Sequence, residues 1–382
     1  MDSSPYFLKR FATCSGKYTY SQSTLAEDMQ SKVIELEFSA AKNSSDNNRF
    51  KKAALLALAS SLMPENSKSI SQMVNFLYMH AEIKQRHFEV ELEEINKRTD
   101  WYKLVNDATY SLSSRLLQQL FQESVKAEEC DALIVVCSTH SGFPGLSRKL
   151  QQKFGFSVTT LCFDITAQGC TGAPHGFLLA HQLLQTGRCK NVCLLCIDVL
   201  GTYCLSSKSL KLPAVSNIVA NCLTSDGAAA LVLGKTPGPQ PIFSYKDSEL
   251  FTRLWLDSLE YNVLSAGEDN QPYVWVGKEI QTRLVEELEK EVNPAMLEEP
   301  IFLHPGGVAL MKLIRKKYPH LGGSTELSLS ELEETGNIGA PSVLFVLKKA
   351  LEHGNPITPR FRLVTFGPGK TTAILLIDGV EK

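Results

Sequence analysis

The chain reads as an α/β protein built from two halves that share one internal grammar. Nearly continuous apolar runs, such as Leu133–Cys137 and Val192–Val199, look like strands buried on both faces, as in a sheet covered by helices. Each such run ends in a glycine-rich turn that leads into a helical segment. The same order appears before and after the stretch Lys235–Pro241. That stretch, Lys-Thr-Pro-Gly-Pro-Gln-Pro, is the clearest linker and divides the chain into residues 1–237 and 238–382.

Composition narrows the function classes. The 382 residues are 43% hydrophobic and 21% charged, enough for a large core. A formal net charge of −2 gives no general attraction to nucleic acid or to anionic membrane. Met1–Lys17 lacks a charged-then-apolar signal pattern, and no apolar run is long enough for a membrane span, so a cytoplasmic location is expected. The ten cysteines sit largely in strand-like runs, which suits reduced thiols rather than a disulfide framework. Cys189, Cys193 and Cys196 have a C-x3-C-x2-C spacing. On a strand, though, Cys193 and Cys196 point to opposite faces, which argues against a shared cluster, and no metal is expected.

Taken in order, residues 1–50 are polar and weakly patterned, with a loop at Asn43–Asn48. A helical run follows at Lys51–Met63, then an apolar-to-basic passage from Asn75 to Arg86, and a charged, solvated stretch from Glu91 to Lys97. Leu112, Leu116, Leu117 and Leu120 give Thr109–Lys126 helical spacing. Asp131–Cys137 is a strand, Ser138–Gly145 a turn, and a helix runs to about Phe154. The strand Val158–Ile165 leads into Gln168-Gly169-Cys170-Thr171-Gly172, and a helix from Phe177 stops at Thr186-Gly187. Val192–Val199 is a strand, Gly201–Asn221 is less regular, and Asp226–Gly234 is a strand with three alanines that permit close packing. After the linker, Ile301–Leu303 ends at His304-Pro305-Gly306-Gly307, with a helix over Val308–Lys317. Gly336-Asn337-Ile338-Gly339 opens the helix Ser342–Leu351. Strands at Phe361–Phe366 and Thr371–Asp378 flank the turn Gly367-Pro368-Gly369.

Three turns carry reactive side chains: Cys170, His304 and Asn337. A thiol at the first turn of a helix feels the positive end of the helix dipole, which favours thiolate. Taken singly, each has an ordinary reading. A cysteine can be structural, a histidine after a strand is commonly a core or cap residue, and Gly-Asn is common turn chemistry. Together they make a nucleophile, an imidazole to deprotonate it, and donors for a carbonyl oxygen that gains charge.

The stretches Gln168-Gly169-Cys170, Asp226-Gly227-Ala228-Ala229-Ala230, His304-Pro305-Gly306-Gly307, Gly336-Asn337 and Phe366-Gly367-Pro368-Gly369 resemble those of the type III polyketide synthases. These are chalcone synthase-like enzymes among the thiolase-fold condensing enzymes. The resemblance covers Leu133 to Ile377. It implies a thiolase-like fold, with two duplicated α/β halves layered αβαβα, and a homodimer. It also implies that Cys170 accepts a starter acyl group and is held as thiolate by His304. His304 and Asn337 would bind the carbonyl of malonyl-CoA and stabilise the enolate left by decarboxylation. The enolate then extends the starter by two carbons, and cyclisation to a pyrone or resorcinol-type product can follow. Acyl-CoA and malonyl-CoA are the substrates, and no cofactor is implied.

Where the chain departs from the family, substrate-binding positions are affected. Leu200 and Tyr203 align with threonines of the family's pocket wall, and Val274 aligns with a gating phenylalanine; Gly367, Pro368 and Gly369 form the remaining candidate substrate-binding turn. A smaller gate and a more apolar wall suit an aliphatic starter. The basic helix that usually meets CoA phosphates is not evident, although Lys68, Lys84 and Arg86 are in its neighbourhood, so an acyl carrier protein stands as an alternative donor. Other readings are a single-round condensing enzyme like ketoacyl synthase III and a non-catalytic acyl-thioester-binding protein. A papain-like cysteine hydrolase fits poorly, because no small residue and aromatic follow Cys170.

Overall fold

The computed structural model describes residues 4–42, 70–97, 100–122, 125–205, 214–238, 241–253, 262–266, 272–276, 284–286, 288–289, 294–297, 300–354 and 360–380. In chain order its elements are β1 (Tyr6–Ser15), β2 (Tyr18–Ser21), α1 (Gln22–Lys42), α2 (Ile70–His80), β3 (Gln85–Phe88), α3 (Leu92–Lys97), α4 (Trp101–Leu120) and β4 (Ala132–Val136). There follow α5 (Leu146–Phe154), β5 (Leu161–Ile165), α6 (Gly172–Gln185), β6 (Asn191–Val199), α7 (Leu200–Leu205), α8 (Ala214–Leu223) and β7 (Asp226–Gly234). The chain continues with β8 (Phe243–Arg253), β9 (Asn262–Ala266), β10 (Pro272–Val276), β11 (Ile301–Leu303), α9 (Val308–Lys317), α10 (Gly322–Thr335), α11 (Ser342–Glu352), β12 (Arg360–Gly367) and β13 (Thr371–Gly379).

Nine strands form one mixed sheet in the order β11-β12-β13-β8-β1-β7-β6-β4-β5. The pairs β4–β5, β4–β6 and β11–β12 are parallel, and the others are antiparallel. Outward from the central β1–β8 pair, each wing repeats one pattern: antiparallel, antiparallel, then parallel.

Period-two alternation sorts the strand side chains into three cores. Leu133, Cys193 and Leu195 pack with Leu112 and Leu116 of α4. Ile134, Leu194 and Cys196, on the opposite face, pack with Phe177 of α6, Val343 and Leu347 of α11, and Leu363 and Leu375 of the other wing. Val364, Phe366 and Ile374 then pack with Met311 and Ile314 of α9. Helices α6 and α11 thus lie between two wings of sheet, and further helices cover the outer faces, giving αβαβα layers. Cys193 and Cys196 fall in different cores, as strand alternation requires.

The N-terminal stretch differs from its sequence reading. Tyr6–Ser15 is a central strand, paired with both β7 and β8. Lys9 and Arg10 obscure its alternation, and a register shift lies between Leu8 and Arg10. Helix α4 begins at Trp101, where Asp100 caps it by accepting the Lys103 N–H (3.0 Å). The irregular stretch after β6 contains α7 and α8. The expected loop at 43–48, the helix at 51–63 and Lys68 lie outside the described residues.

Candidate active site

The Cys170 turn is built by close packing. Gly172 and Gly176, one helical turn apart on α6, face β4 and β6. A Cβ on Gly172 would sit 2.4 Å from Val136 Cγ1, and one on Gly176 would sit 2.6 Å from Leu194 Cδ1. Only glycine lets α6 lie this low on the sheet, and that places its N-terminus at the strand ends. Gly169, at φ +50°, abuts the Pro368 ring, where a Cβ would come within 2.5 Å of Cδ. The Gly169 N–H donates to Ser138 Oγ (3.0 Å) and Thr171 Oγ1 to the Gln168 carbonyl (2.8 Å). Cys170 therefore stands just before α6, between the turns after β4 and β12.

His304 follows β11 directly and is 1% exposed. Its N–H donates to the Val364 carbonyl (2.8 Å) and its carbonyl accepts the Gly306 N–H (2.8 Å). Its Nδ1 is buried with no partner among the described residues. Asn337 follows α10 through Gly336, at φ +71°. Its N–H donates to the Leu223 carbonyl (2.8 Å), and its carbonyl accepts the Ser225 N–H (2.9 Å). Its Oδ1 accepts the Gly339 N–H (2.9 Å), so the amide orientation is fixed and Nδ2 is the group left to donate.

Cys170, His304 and Asn337 line one cavity of about 190 Å³. Gly367 and Pro368 also line it, while Gly369, at φ +66°, does not. Leu200 lines the wall, but Tyr203 does not. The strand ends at Val199, and α7 begins at Leu200. On a helix, residues four apart share a face, so Cys204 joins Leu200 at the cavity. Tyr203 instead packs edge-on against Trp101 at 5.2 Å. Val274 lies on β10 opposite Leu264, and its side chain is outside the described residues. The remaining wall is mainly apolar, with Val219 and Leu223 from α8 and Leu310 from α9.

Asp198 went unnoticed in the sequence, although it is the one charge within an otherwise apolar strand. It is fully buried in the cavity wall. Oδ1 accepts the Ser138 N–H (2.8 Å) and Oδ2 the Ala340 N–H (2.9 Å), tying the turn beside Cys170 to the one beyond Asn337. Burial raises its pKa to about 7, against the pull of these donors. Thr224 also lines the cavity, beside Asn337 in a parallel bridge.

Electrostatics separate the resting state from the thiolate–imidazolium pair that the resemblance implies. Cys170 keeps partial access to the cavity but lies deep in the molecule, and burial pushes its thiol up to about 12, with Asp198 adding to the shift. Burial pushes His304 down to about 3. Two desolvated charges persist only when contact repays their loss of hydration, so burial by itself disfavours the ion pair in the free site. Alkylation of Cys170, followed on its peptide by mass spectrometry, is expected to accelerate steadily from about pH 6 to about pH 10. A rate that levels off below about pH 7 would instead mean that the ion pair exists in the free enzyme.

Arg86 does not reach toward the surface. Residues of β3 alternate inward and outward, and Arg86 points in with Phe88, fully buried. Lys84 is exposed and pairs with Glu333 at 2.8 Å. Among the described residues, no group of side chains has the arrangement of a metal site, and no helix is long and apolar enough to cross a membrane.

Residues 31–283 match the family model for the FAE1/Type III polyketide synthase-like protein, which is more than half of the chain. The chain belongs to this family. It is a type III polyketide synthase, a transferase that joins acyl units by condensation. The matched region includes Cys170; His304 and Asn337 follow it, in the part spanned by likeness of fold. The structure is similar to CsyB solved with CoA-SH, at 16% identity over 98% of this chain and 100% of that one, with a TM-score of 0.75. It is also similar to the C-terminal type III polyketide synthase domain of Steely1 from Dictyostelium, at 14% identity over 99% and 100% of the two chains and a TM-score of 0.76. For 1,3,6,8-tetrahydroxynaphthalene synthase from Streptomyces coelicolor the values are 17% identity, 98% and 100% coverage, and a TM-score of 0.75. The layered architecture is thus the thiolase-like fold of these enzymes.

Proposed function

We propose that the synthase loads a starter acyl group on Cys170 and extends it with malonyl-CoA, with His304 and Asn337 as the donors. The observation that carries this reading is the meeting of these three side chains in one largely apolar cavity. Cys170 Sγ attacks the starter thioester as His304 takes its proton, and CoA leaves as the thiol after that proton returns to it. Malonyl-CoA then sets its thioester carbonyl between His304 and Asn337 Nδ2. Loss of CO2 leaves the bonding pair as an enolate, whose oxygen charge these donors stabilise in a water-poor site. The enolate carbon attacks the acyl carbonyl, the C–S bond breaks, and the Cys170 thiolate takes a proton from solvent, the one proton that the loss of CO2 consumes overall. The scheme uses only protein groups and the substrates' own thioester and carboxylate, so no metal or organic cofactor enters it.

Leu200, Val219, Leu223 and Leu310 favour an aliphatic starter. Short, long and aromatic acyl-CoA thioesters, each supplied with malonyl-CoA, test this through released products. Aliphatic starters are expected to give pyrone or resorcinol-type products of two or more extensions. Preference for an aromatic starter would refute the assignment of the wall. Products of one extension only would favour the ketoacyl synthase III-like alternative, and turnover only with acyl carrier protein thioesters would replace CoA as the starter donor.

A second copy of the chain is the expected partner. Among the described residues β5 is an edge strand, and Phe143, Val158 and Leu161 expose apolar surface. Light scattering that returned the mass of a single chain would contradict the dimer. The ten free thiols suit a reducing, cytoplasmic setting, which cell fractionation checks.

A further inference from the structure

Arg86 is a fully buried cation that the scheme above leaves unused. Among the described residues no carboxylate lies within ion-pair distance of it, and its Nε and Nη2 have no hydrogen-bond partner. A guanidinium keeps its charge when buried, so something must take the place of water. Its Nη1 donates to the carbonyls of Asn221 and Thr224, the latter at 3.1 Å. These lie at the C-terminal end of α8, where carbonyls lack helical partners and the dipole is negative. The rings of Tyr78 and Phe88 face the guanidinium at 5.4 and 5.5 Å.

The carbonyls that Arg86 holds flank the segment that grips Asn337. The Asn337 N–H and carbonyl bond to Leu223 and Ser225, on either side of Thr224. The stem of Arg86 lies against Gly336, where a Cβ would come within 3.3 Å of its Cγ. Its neighbours just before and on β3 hold the other side of Asn337. The Lys84 N–H donates to the Glu333 carbonyl (2.8 Å), and His87 Nε2 meets the Glu334 carbonyl (3.1 Å), at the end of α10. The His87 N–H also donates to Ser225 Oγ (3.3 Å). Residues 84–87 therefore touch both segments that hold the Asn337 backbone, from which its amide projects. We infer that Arg86 is a positioning residue for Asn337: its buried charge holds the end of α8 so that Nδ2 meets the developing enolate. This inference rests on the role proposed above for Asn337.

The test separates the two half-reactions. Arg86→Met keeps the unbranched stem and removes the guanidinium and its charge. Acylation of Cys170 by a short acyl thioester, which does not depend on the Val219 and Leu223 wall, is expected to stay within about twofold of wild type, because the Cys170 turn does not hang on α8. Malonyl-CoA decarboxylation is expected to fall about tenfold to a hundredfold, the penalty for a donor displaced by about an ångström. Arg86→Lys, with a cation but no fork, is expected to lie between the two. In the Asn337→Ala background, Arg86→Met should change decarboxylation by less than about twofold more, because both substitutions act through one group. A parallel fall in both half-reactions, or losses that multiply in the double variant, would overturn the inference. If Arg86→Met does not fold, the same cycle with Arg86→Lys decides. Normal decarboxylation by Asn337→Ala would instead refute the underlying reading, an outcome distinct from failure of the Arg86 cycle alone.

Discussion

Cys170→Ala is expected to abolish chain extension while leaving slow release of CO2 from malonyl-CoA. Extension needs a thiol to hold the growing acyl chain, and no other group at the end of α6 supplies one. Loss of a covalent nucleophile typically costs at least about 10³-fold. In the proposed scheme decarboxylation uses the His304 and Asn337 donors, which the substitution leaves in place. The cavity also holds Cys204, a second thiol, on α7. Burial raises Cys204 to about 12, as it does Cys170, but it lacks a place at a helix N-terminus. Product formation by purified Cys170→Ala at more than about one per cent of the wild-type rate would contradict this assignment.

His304→Ala and Asn337→Ala are expected to suppress decarboxylation itself, each by about 10²–10³-fold. The two variants should differ in the other half-reaction. In the proposed scheme His304 also takes the Cys170 proton, so its loss should slow acylation as well. Asn337 has no part in that step, so Asn337→Ala should still load a starter. Release of CO2 from labelled malonyl-CoA reads the first effect, and single-turnover acylation reads the second. Wild-type decarboxylation by Asn337→Ala would remove that residue from the site. Its fixed Oδ1 bond makes such a result informative, since the amide has one orientation in which to act.

The site's turns were legible because their geometry requires small residues at set positions. Gly169 needs a positive φ and no Cβ beside Pro368, and Gly172 and Gly176 need direct contact with the sheet. Such demands mark the sequence locally. β1 was hidden for the opposite reason: Lys9 and Arg10 are tolerated at its bulge, and the strand owes its place to pairing with β7 and β8, distant in sequence. Tyr203 aligns with a pocket-wall threonine of the resembled family, but past Val199 this chain is already helical and the face at the cavity belongs to Leu200 and Cys204. In the sequence Arg86 is only a basic residue in the neighbourhood of the expected CoA-phosphate helix, because no local pattern reveals that the end of α8 will supply its acceptors. Asp198 could have been found, since one carboxylate inside an apolar strand needs donors such as those that Ser138 and Ala340 provide.

The central claim is that Cys170 carries the acyl chain, and intact-protein mass spectrometry tests it most directly. Wild type and Cys170→Ala are each exposed to one aliphatic acyl-CoA and the mass is read before malonyl-CoA is added. The expected result is a gain of one acyl group on wild type alone, localised to the Cys170 peptide. An equal gain on both proteins, or an adduct on Cys204 instead, would contradict it.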